Sequence, residues 1–441
     1  MRQEEIIEKR IKAITNFYMN VDDIVNNKLP QFIPNEVKDT VIEKILGDKD
    51  LKGLIDSLNN HRAPRFLIMG RTGVGKSSLI NAMFGRYMAQ VSDVKIGTKY
   101  ADAYSYKIGG NTVLEVLDTR GISESNTLKL KSAEDELLDT MESFSPDAIL
   151  FIVDGSSRAG IDKDVDVLKS VIEKWKEINK IESNQQINIP IITILNRVDQ
   201  LSPSRQVDPS SYGTKKRENI SIAKEEVKKV LLNKRVPYNE IIAVSSYIEW
   251  SEDNDIIESM SSYQREKVTI EYDGRYNIDK LLDVLENNIN INASIGLILA
   301  TRVDKIAVKL AKKMNVIFGG IAGLIATTPI PFSDIYFITS VQATLIMFIS
   351  MLSGREISFE SAKEVLVAFG GAGACGFALR TLAQQVSKLL NVGLPGSGSA
   401  VSAVIATAGT TAIGNAAIKY FIEGVDLDKA SKEVNEYVDN M

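Results

Sequence analysis

The fold of this chain is decided by the run Gly70-Arg71-Thr72-Gly73-Val74-Gly75-Lys76-Ser77. It fits the pattern G-x-x-x-x-G-K-[ST] at every specified position. The short apolar run 65–69 before it is typical of a strand, and residues 77–84 after it are typical of a helix. Glycines let backbone N–H groups curl around a phosphate, where the helix N-terminus adds its positive end. The run therefore predicts a phosphate-binding loop between a strand and a helix.

Two side chains of this loop carry predicted chemistry. We expect the Lys76 ammonium to reach the β- and γ-phosphate oxygens and act in catalysis, and the Ser77 hydroxyl to bind Mg²⁺. The nucleotide contacts predicted from the loop are made by Gly70, Gly73, Val74, Gly75, Lys76, Ser77 and Ser78.

The base is predicted from the run Asn196-Arg197-Val198-Asp199, which directly follows the strand-like residues 191–195. The Asp199 carboxylate can accept two hydrogen bonds from guanine N1–H and N2–H₂, a donor pair that adenine lacks. The familiar form of this motif is Asn-Lys-x-Asp. Arg197 replaces the lysine here, and its planar guanidinium can still lie over the base. At the carboxyl end of a strand, this spacing predicts that Asn196, Arg197 and Asp199 hold a guanine nucleotide, GTP or GDP.

Ser245 and Ser246 are predicted to complete the base pocket. They directly follow residues 241–244, which form the last strand-like run. We expect them to support the base, with a backbone amide as the contacting group.

The switch segments are predicted from the run Asp118-Thr119-Arg120-Gly121, which fits D-x-x-G at the end of the strand-like residues 113–117. We expect Asp118 to hold Mg²⁺ through water and the Gly121 amide to sense the γ-phosphate. Thr98 is predicted to give Mg²⁺ a second hydroxyl, since this ion prefers octahedral oxygen ligation. The predicted metal ligands are therefore Ser77, Thr98 and Asp118, and the predicted catalytic residues are Lys76, Thr98 and Gly121.

Strand-like and helical runs alternate through the middle of the chain, which predicts an α/β fold with a mainly parallel sheet covered on both faces. We expect an N-terminal helical segment at residues 1–60, a nucleotide-binding domain at 61–290 and a Gly/Ala-rich helical domain at 291–441. The N- and C-terminal helices are expected to form one all-α domain. Three polar insertions, at 181–188, 202–222 and 251–270, interrupt the middle domain without a readable function.

The composition limits the partners and the cellular compartment that we expect for this protein. The chain has 441 residues and a formal net charge of −5, which argues against a dedicated nucleic-acid binder. Its single cysteine, Cys375, fits a reducing compartment. The acidic start, Met-Arg-Gln-Glu-Glu, does not resemble a secretory signal. We expect a cytoplasmic protein, with a peripheral position at the inner face of the membrane as an option.

The C-terminal region contains long uncharged runs. No charged residue occurs between Lys313 and Asp334, or from Ile335 to Gly354. Each run has about the length that crosses a bilayer, roughly 20 residues. Either the runs form a buried helical bundle, or they form a hairpin that enters the membrane. Their moderate hydrophobicity and the lack of flanking charge asymmetry favour the bundle, which is compatible with reversible membrane contact.

These motifs carry a family resemblance. Residues 65–289 resemble the Era-like branch of the translation-factor-related GTPases. The loop G-R-T-G-V-G-K-S-S also resembles that of the immunity-related GTPases, which are dynamin-like proteins with helices on both sides of the GTPase domain. The C-terminal part, with Pro329-Ile330-Pro331, Asp334 and Gln342, resembles a bacterial GTPase-associated domain family of unknown function. The resemblance implies GTP hydrolysis and pairing of GTPase domains into a homodimer or larger oligomer.

The catalytic set departs from that of Ras-like enzymes, in which a glutamine follows D-x-x-G and orients the attacking water. Ile122 stands at that position here, and Gly73 replaces the loop asparagine of potassium-activated relatives. We therefore expect slow intrinsic turnover and stimulation by a second molecule. Arg71, Arg120 and Arg158 lie in segments that could approach such an interface, and each could equally be a solvated surface arginine.

Two other classes of function stay open. One is a monomeric switch that recruits an effector and uses hydrolysis as a timer. The other is an Era-like ribosome or RNA factor, which the acidic balance and the lack of a recognisable RNA-binding module disfavour.

Overall fold

The computed structural model describes residues 12, 15–16, 18–28, 35–88, 90–91, 102–108, 110–119, 137, 140–157, 160–181, 187–265, 267–327, 334–355, 357–369 and 397–439. The chain divides into two compact units. One is His61–Thr301, and the other combines Met1–Asn60 with Arg302–Met441.

The first unit is built on a sheet that has seven strands within the described residues. In chain order these are β1 (Arg65–Met69), β2 (Gln90–Val91), β3 (Asp102–Ile108), β4 (Asn111–Asp118), β5 (Ala148–Asp154), β6 (Ile191–Asn196) and β7 (Glu240–Ala243). Their spatial order is β2-β3-β4-β1-β5-β6-β7. Strands β4, β1, β5, β6 and β7 are parallel, and β3 is antiparallel to both neighbours. The predicted α/β fold is confirmed.

A separate antiparallel hairpin follows β7 directly. Its strands are β8 (Ser245–Trp250) and β9 (Ile270–Tyr276). Short helices, Asn254–Ser259 and Ser262–Arg265, lie between the two strands. The third polar insertion predicted from the sequence therefore begins after β8 and ends with the first residue of β9.

The longer helices are numbered in chain order. They are α1 (Asn35–Leu46), α2 (Lys49–Asn59), α3 (Lys76–Phe84), α4 (Ile161–Ile178), α5 (Thr214–Asn233), α6 (Ile278–Asn288), α7 (Ile291–Thr301), α8 (Val303–Thr327), α9 (Asp334–Leu352), α10 (Phe359–Ala368), α11 (Ser397–Phe421) and α12 (Leu427–Asp439). Near the N-terminus, Val21–Asp23 is helical and continues as a π-helical turn, Ile24–Lys28.

Both faces of the central strands are buried. One face of the sheet packs against helices α4 and α5 and contains Leu67 and Phe151. The other face packs against helices α3, α6 and α7 and contains Phe66 and Ile68. Parallel strands covered on both sides read as continuous apolar runs, which is why β5 and β6 show no polar alternation.

Helix α7 belongs to the unit that holds the sheet. Its residues Ala293 and Leu297 are fully buried in the same core as Phe66. The helical domain predicted to start at residue 291 includes α7, whereas the division into units falls between Thr301 and Arg302. The three-segment division itself stays a prediction.

The helical unit contains a tightly packed pair, α8 and α11. A Cβ on Gly319 would lie 2.9 Å from the Thr411 hydroxyl oxygen, so the small residue permits close approach of the two helices. Asn315, which is buried, donates through Nδ2 to Thr411 O at 2.9 Å and to Asn415 Oδ1 at 3.0 Å. Among the helices that the structure describes, none combines the length and apolarity needed to cross a bilayer.

Candidate nucleotide site

The predicted phosphate loop connects β1 to α3. Gly75 has a left-handed φ of 91°, and a Cβ on it would lie 2.5 Å from Asn196 Nδ2. A Cβ on Gly70 would lie 2.6 Å from the carbonyl oxygen of Ile152 on β5. A side chain at Gly70 would collide with the backbone of β5 and one at Gly75 with the Asn196 side chain, so the loop can approach these groups so closely only with glycines.

Lys76 lies between the loop and β4. Its Nζ is 3.1 Å from Gly70 O, 3.5 Å from Arg71 O and 3.5 Å from Asp118 Oδ1. Asp118 reaches this place because the parallel pairing of β1 with β4 puts it opposite Ile68, one residue before the end of β1. The predicted catalytic cation and the predicted metal-binding carboxylate are therefore brought together.

The residues present fit Mg²⁺. Ser77 lies in the first turn of α3 and is exposed, and Asp118 ends β4 next to the same loop. A hydroxyl and a carboxylate are oxygen ligands of the kind this ion prefers, with nucleotide phosphates and water supplying the rest. Thr98 and Gly121, also predicted here, lie outside the described residues, and so does Ile122.

Thr119, which no sequence motif singled out, fixes the end of β4. Its backbone N–H and its hydroxyl both donate to Ile68 O, each at 3.3 Å, and the residue is buried. These two bonds hold the second residue of the D-x-x-G segment to β1. The sequence shows only a threonine directly after the aspartate that ends β4. Its partner, Ile68, is distant in the sequence, so the local pattern does not predict this contact.

Asn196 connects three segments of the site. Its side chain is fully buried, and Nδ2 donates to Val74 O at 2.9 Å. Its Oδ1 accepts a hydrogen bond from Ser246 Oγ at 3.0 Å. The amide therefore joins the end of β6 to the phosphate loop and to the start of β8. These bonds are made to protein groups, and a direct contact of Asn196 with nucleotide stays a prediction.

Arg197 has a left-handed φ of 62°, and its side chain turns toward β5. Its Nη1 lies 3.2 Å from Asp154 Oδ2, and Asp154 Oδ1 accepts from the Ser156 N–H at 2.8 Å. Strand pairing places Asp154 directly opposite Asn196. Asp154 was not predicted, and it anchors the arginine that is expected to cover the base.

Asp199 lies in a short 3-10 turn, Val198–Gln200, and is buried. The Val198 N–H donates to Val244 O at 3.3 Å, which ties the turn to the end of β7. Ser245 and Ser246 follow at once, and both are buried. The structure thus brings together the two segments predicted to form the base pocket.

Arg71 is held within its own chain. Its Nε lies 2.6 Å from Asp164 Oδ1 on α4, and its Nη2 donates to Gly160 O. Burial raises the pKa of Asp164, and the charge and hydrogen bond of Arg71 oppose that shift. Arg120 and Arg158, the other arginines considered for a role in a second molecule, lie outside the described residues.

Two family descriptions match this chain. The family described as "50S ribosome-binding GTPase" matches residues 65–197, the segment that contains the phosphate loop and Asp118 and ends within the Asn196–Asp199 motif, at Arg197. Residues 65–197 form a P-loop GTPase domain. The family description and the name of the relative GTPase Der indicate a GTP hydrolase that binds GTP or GDP with Mg²⁺, which confirms the predicted cofactors. Residues 292–441 match a domain of unknown function, DUF697.

Bacterial GTPases are among the curated relatives of the GTPase domain. The chain is 25% identical to GTPase Der of Helicobacter hepaticus over 239 residues, which is 54% of this chain and 43% of that protein. It is 28% identical to the tRNA modification GTPase MnmE of Carboxydothermus hydrogenoformans over 187 residues, 40% of each. A solved structure of a dimerization-deficient mutant of Toc33 from Arabidopsis thaliana is 17% identical, with 62% of this chain and 94% of that chain covered and a TM-score of 0.28. The chain thus spans less than half the length of these two curated relatives.

Replacing Asn196 by alanine tests whether the hydrogen bonds of its side chain to Val74 and Ser246, here called the Asn196 bridge, support nucleotide binding. The change leaves buried Val74 O without its donor, and we expect GDP affinity to fall about tenfold or more. Ser246→Ala removes only the second bond and should have a smaller effect. Isothermal titration with GDP and Mg²⁺ measures both. The control is Asn179→Ala, an exposed amide at the end of α4; if Asn196→Ala binds GDP as this control does, the bridge has no role in binding.

Proposed function

We propose that this protein binds GTP and hydrolyses it to GDP and phosphate, with slow turnover as a single copy and faster turnover when copies associate. The observation that carries the proposal is the convergence of Lys76, Asp118 and the Asn196–Asp199 motif at the carboxyl edge of neighbouring parallel strands. That edge is where open α/β sheets bind their ligands.

Each part of the site has a role in this chemistry. The backbone N–H groups of the loop and the Lys76 ammonium would bind the phosphate oxygens and stabilise the charge that develops on them. When bound, Mg²⁺ neutralises charge on the β- and γ-phosphates. Asp199 would read the base, and Arg197, held by Asp154, would cover it.

The proposed slow turnover follows from Ile122, an apolar residue where Ras-like enzymes orient water with glutamine. A second copy is the proposed source of the missing group, in line with the resemblance to dynamin-like proteins. Arg71 is the least suitable of the three arginines, because it would first have to leave its ion pair with Asp164. Arg120 and Arg158 are the better candidates.

The descriptions of the matched family and of one relative favour one other class of function. The matched family is described by ribosome binding, and one relative is described by tRNA modification. The net charge of −5 opposes an RNA partner. RNA that copurifies with the protein and resists about 0.5 M salt would favour this class. A monomeric mass with a GTP analogue, measured by mass photometry, would favour a switch that recruits an effector.

Reversible membrane contact is the last part of the proposal. Helix α8 exposes Val316 and Leu324, at 68% and 53%, about two turns apart along the helix. Helix α11, which packs beside α8, exposes Val404 at 57%. These apolar side chains could enter the interface of a bilayer without any helix crossing it.

Self-association predicts that GTP turnover depends on protein concentration. Specific activity should rise at least about tenfold over about a hundredfold range of concentration, because a second copy completes the site. At least one of the variants Arg120→Ala and Arg158→Ala should flatten this rise. The control is Arg235→Ala, which changes an exposed arginine and should leave the rise unchanged. Steady-state phosphate release measures all four proteins. Equal specific activity across the range would exclude stimulation between copies.

Membrane contact is tested by flotation with liposomes containing anionic lipid. The double variant with Val316→Glu and Leu324→Glu should float at least about threefold less than the unmodified protein, since charge in the interface is unfavourable. Leu232→Glu is the control, because Leu232 is 56% exposed on α5 in the other unit. If both variants float equally well, α8 does not contact the membrane.

A further inference from the structure

A buried lysine lies behind the guanine motif. Lys216 is in the first turn of α5 and has no exposed surface. Its Nζ donates to Asp199 O, to Leu201 O at 2.7 Å and to Pro203 O at 3.3 Å. An ammonium has three N–H donors, so each has a carbonyl acceptor in the segment that begins with Asp199.

Other contacts keep this ammonium in place. The Tyr212 ring lies beneath it, with Nζ 5.0 Å from the ring centroid. Burial lowers the pKa of Lys216, and the negative charge of Asp199 opposes the shift. Asn219, on the same helix, donates through Nδ2 to Ser202 O at 2.7 Å. Side chains of α5 therefore hold the backbone from residue 199 to residue 203.

Stability alone does not require a lysine at this position. A cation in the first turn of a helix is disfavoured by the helix dipole, and burying an ammonium carries a large desolvation cost. Methionine would fill the same space without either cost. What methionine cannot do is direct three carbonyl groups toward one point. The ammonium is therefore better explained by the geometry it imposes on its acceptors than by the stability it adds.

That geometry bears directly on the carboxylate expected to read the base. The Asp199 backbone is fixed on one side by the Val198 N–H, which donates to Val244 O, and on the other side by Lys216. A carboxylate that reads two donors of a base must be held within about 0.5 Å of its working position. We propose that Lys216 is a positioning residue for guanine recognition, which sets the backbone of Asp199 so that its carboxylate meets both guanine donors.

This inference rests on the proposed guanine nucleotide function, and it assigns a role to the polar insertion 202–222. The informative probe is IDP, because hypoxanthine keeps N1–H but lacks the 2-amino group of guanine. The preference for GDP over IDP therefore reports whether Asp199 is placed to accept both bonds. A loop that is merely less stable would change the affinity for both nucleotides together.

The experiment measures the affinities of the full chain for GDP and IDP, each with Mg²⁺, by titration calorimetry. We expect Lys216→Met to lower the GDP-over-IDP preference at least about fivefold, with a smaller change in IDP affinity itself. Lys216→Gln, which can serve two of the three carbonyls, should give an intermediate preference and decides the question if the methionine variant does not fold.

Two controls separate positioning from stability. Lys215→Met changes the exposed neighbour on the same turn, and Leu231→Ala destabilises the buried face of the same helix. Both should keep the original preference. A preference within twofold of the original in Lys216→Met, or in Lys216→Gln where that variant decides, would overturn the inference and leave the guanine site intact. An unmodified protein that binds GDP, IDP and ADP equally would overturn the guanine function and the inference together.

Discussion

The side-chain amide of Asn196 connects the parts of the nucleotide site. It is fully buried at the end of β6, and through its two polar atoms it reaches Val74 in the phosphate loop and Ser246 at the start of β8. A buried amide that loses a partner carries a large penalty, so these segments cannot move apart independently. The phosphate loop and the segments expected to hold the base therefore form one rigid edge of the sheet.

Other polar side chains at this edge of the sheet also join elements that are distant in the sequence. Thr119 ties the end of β4 to β1, Asp154 on β5 anchors Arg197, and Lys216 holds the backbone of Asp199 from behind. Each is a buried or half-buried polar group whose partner lies on a different element. Such groups are satisfied only when the surrounding elements are in register, and together they specify one arrangement of the loops.

The sequence predicted the parts of this site that depend on local pattern. The run 70–77 predicts its own geometry, because the glycines, the lysine and the helix start lie within a few residues of one another. The strands were predictable for a similar reason, since buried parallel strands are continuous apolar runs. The α/β fold and the guanine nucleotide with Mg²⁺ follow from these local signals.

Asp154, Thr119 and Lys216 were not predictable in this way. Each looks ordinary in its own segment, and its role appears only when strand pairing or helix packing brings a distant partner close. Lys216 lies in a polar insertion that reads as a surface loop, yet its ammonium is fully buried. The packing of α7 against the sheet was missed for a related reason. Its mostly apolar sequence suits a helical bundle as well as the edge of a sheet domain.

The central claim is that the Asp199 carboxylate recognises guanine in a site whose loops are held in place by the hydrogen bonds of buried polar groups. The most direct measurement compares the affinities of the unmodified chain and Asp199→Asn for GDP and XDP. Xanthine has an oxygen in place of the 2-amino group, so an asparagine amide can donate where the carboxylate accepts. We predict that the unmodified chain prefers GDP and that Asp199→Asn prefers XDP. An Asp199→Asn variant that still prefers GDP would contradict the account, because the base would then be read by other groups.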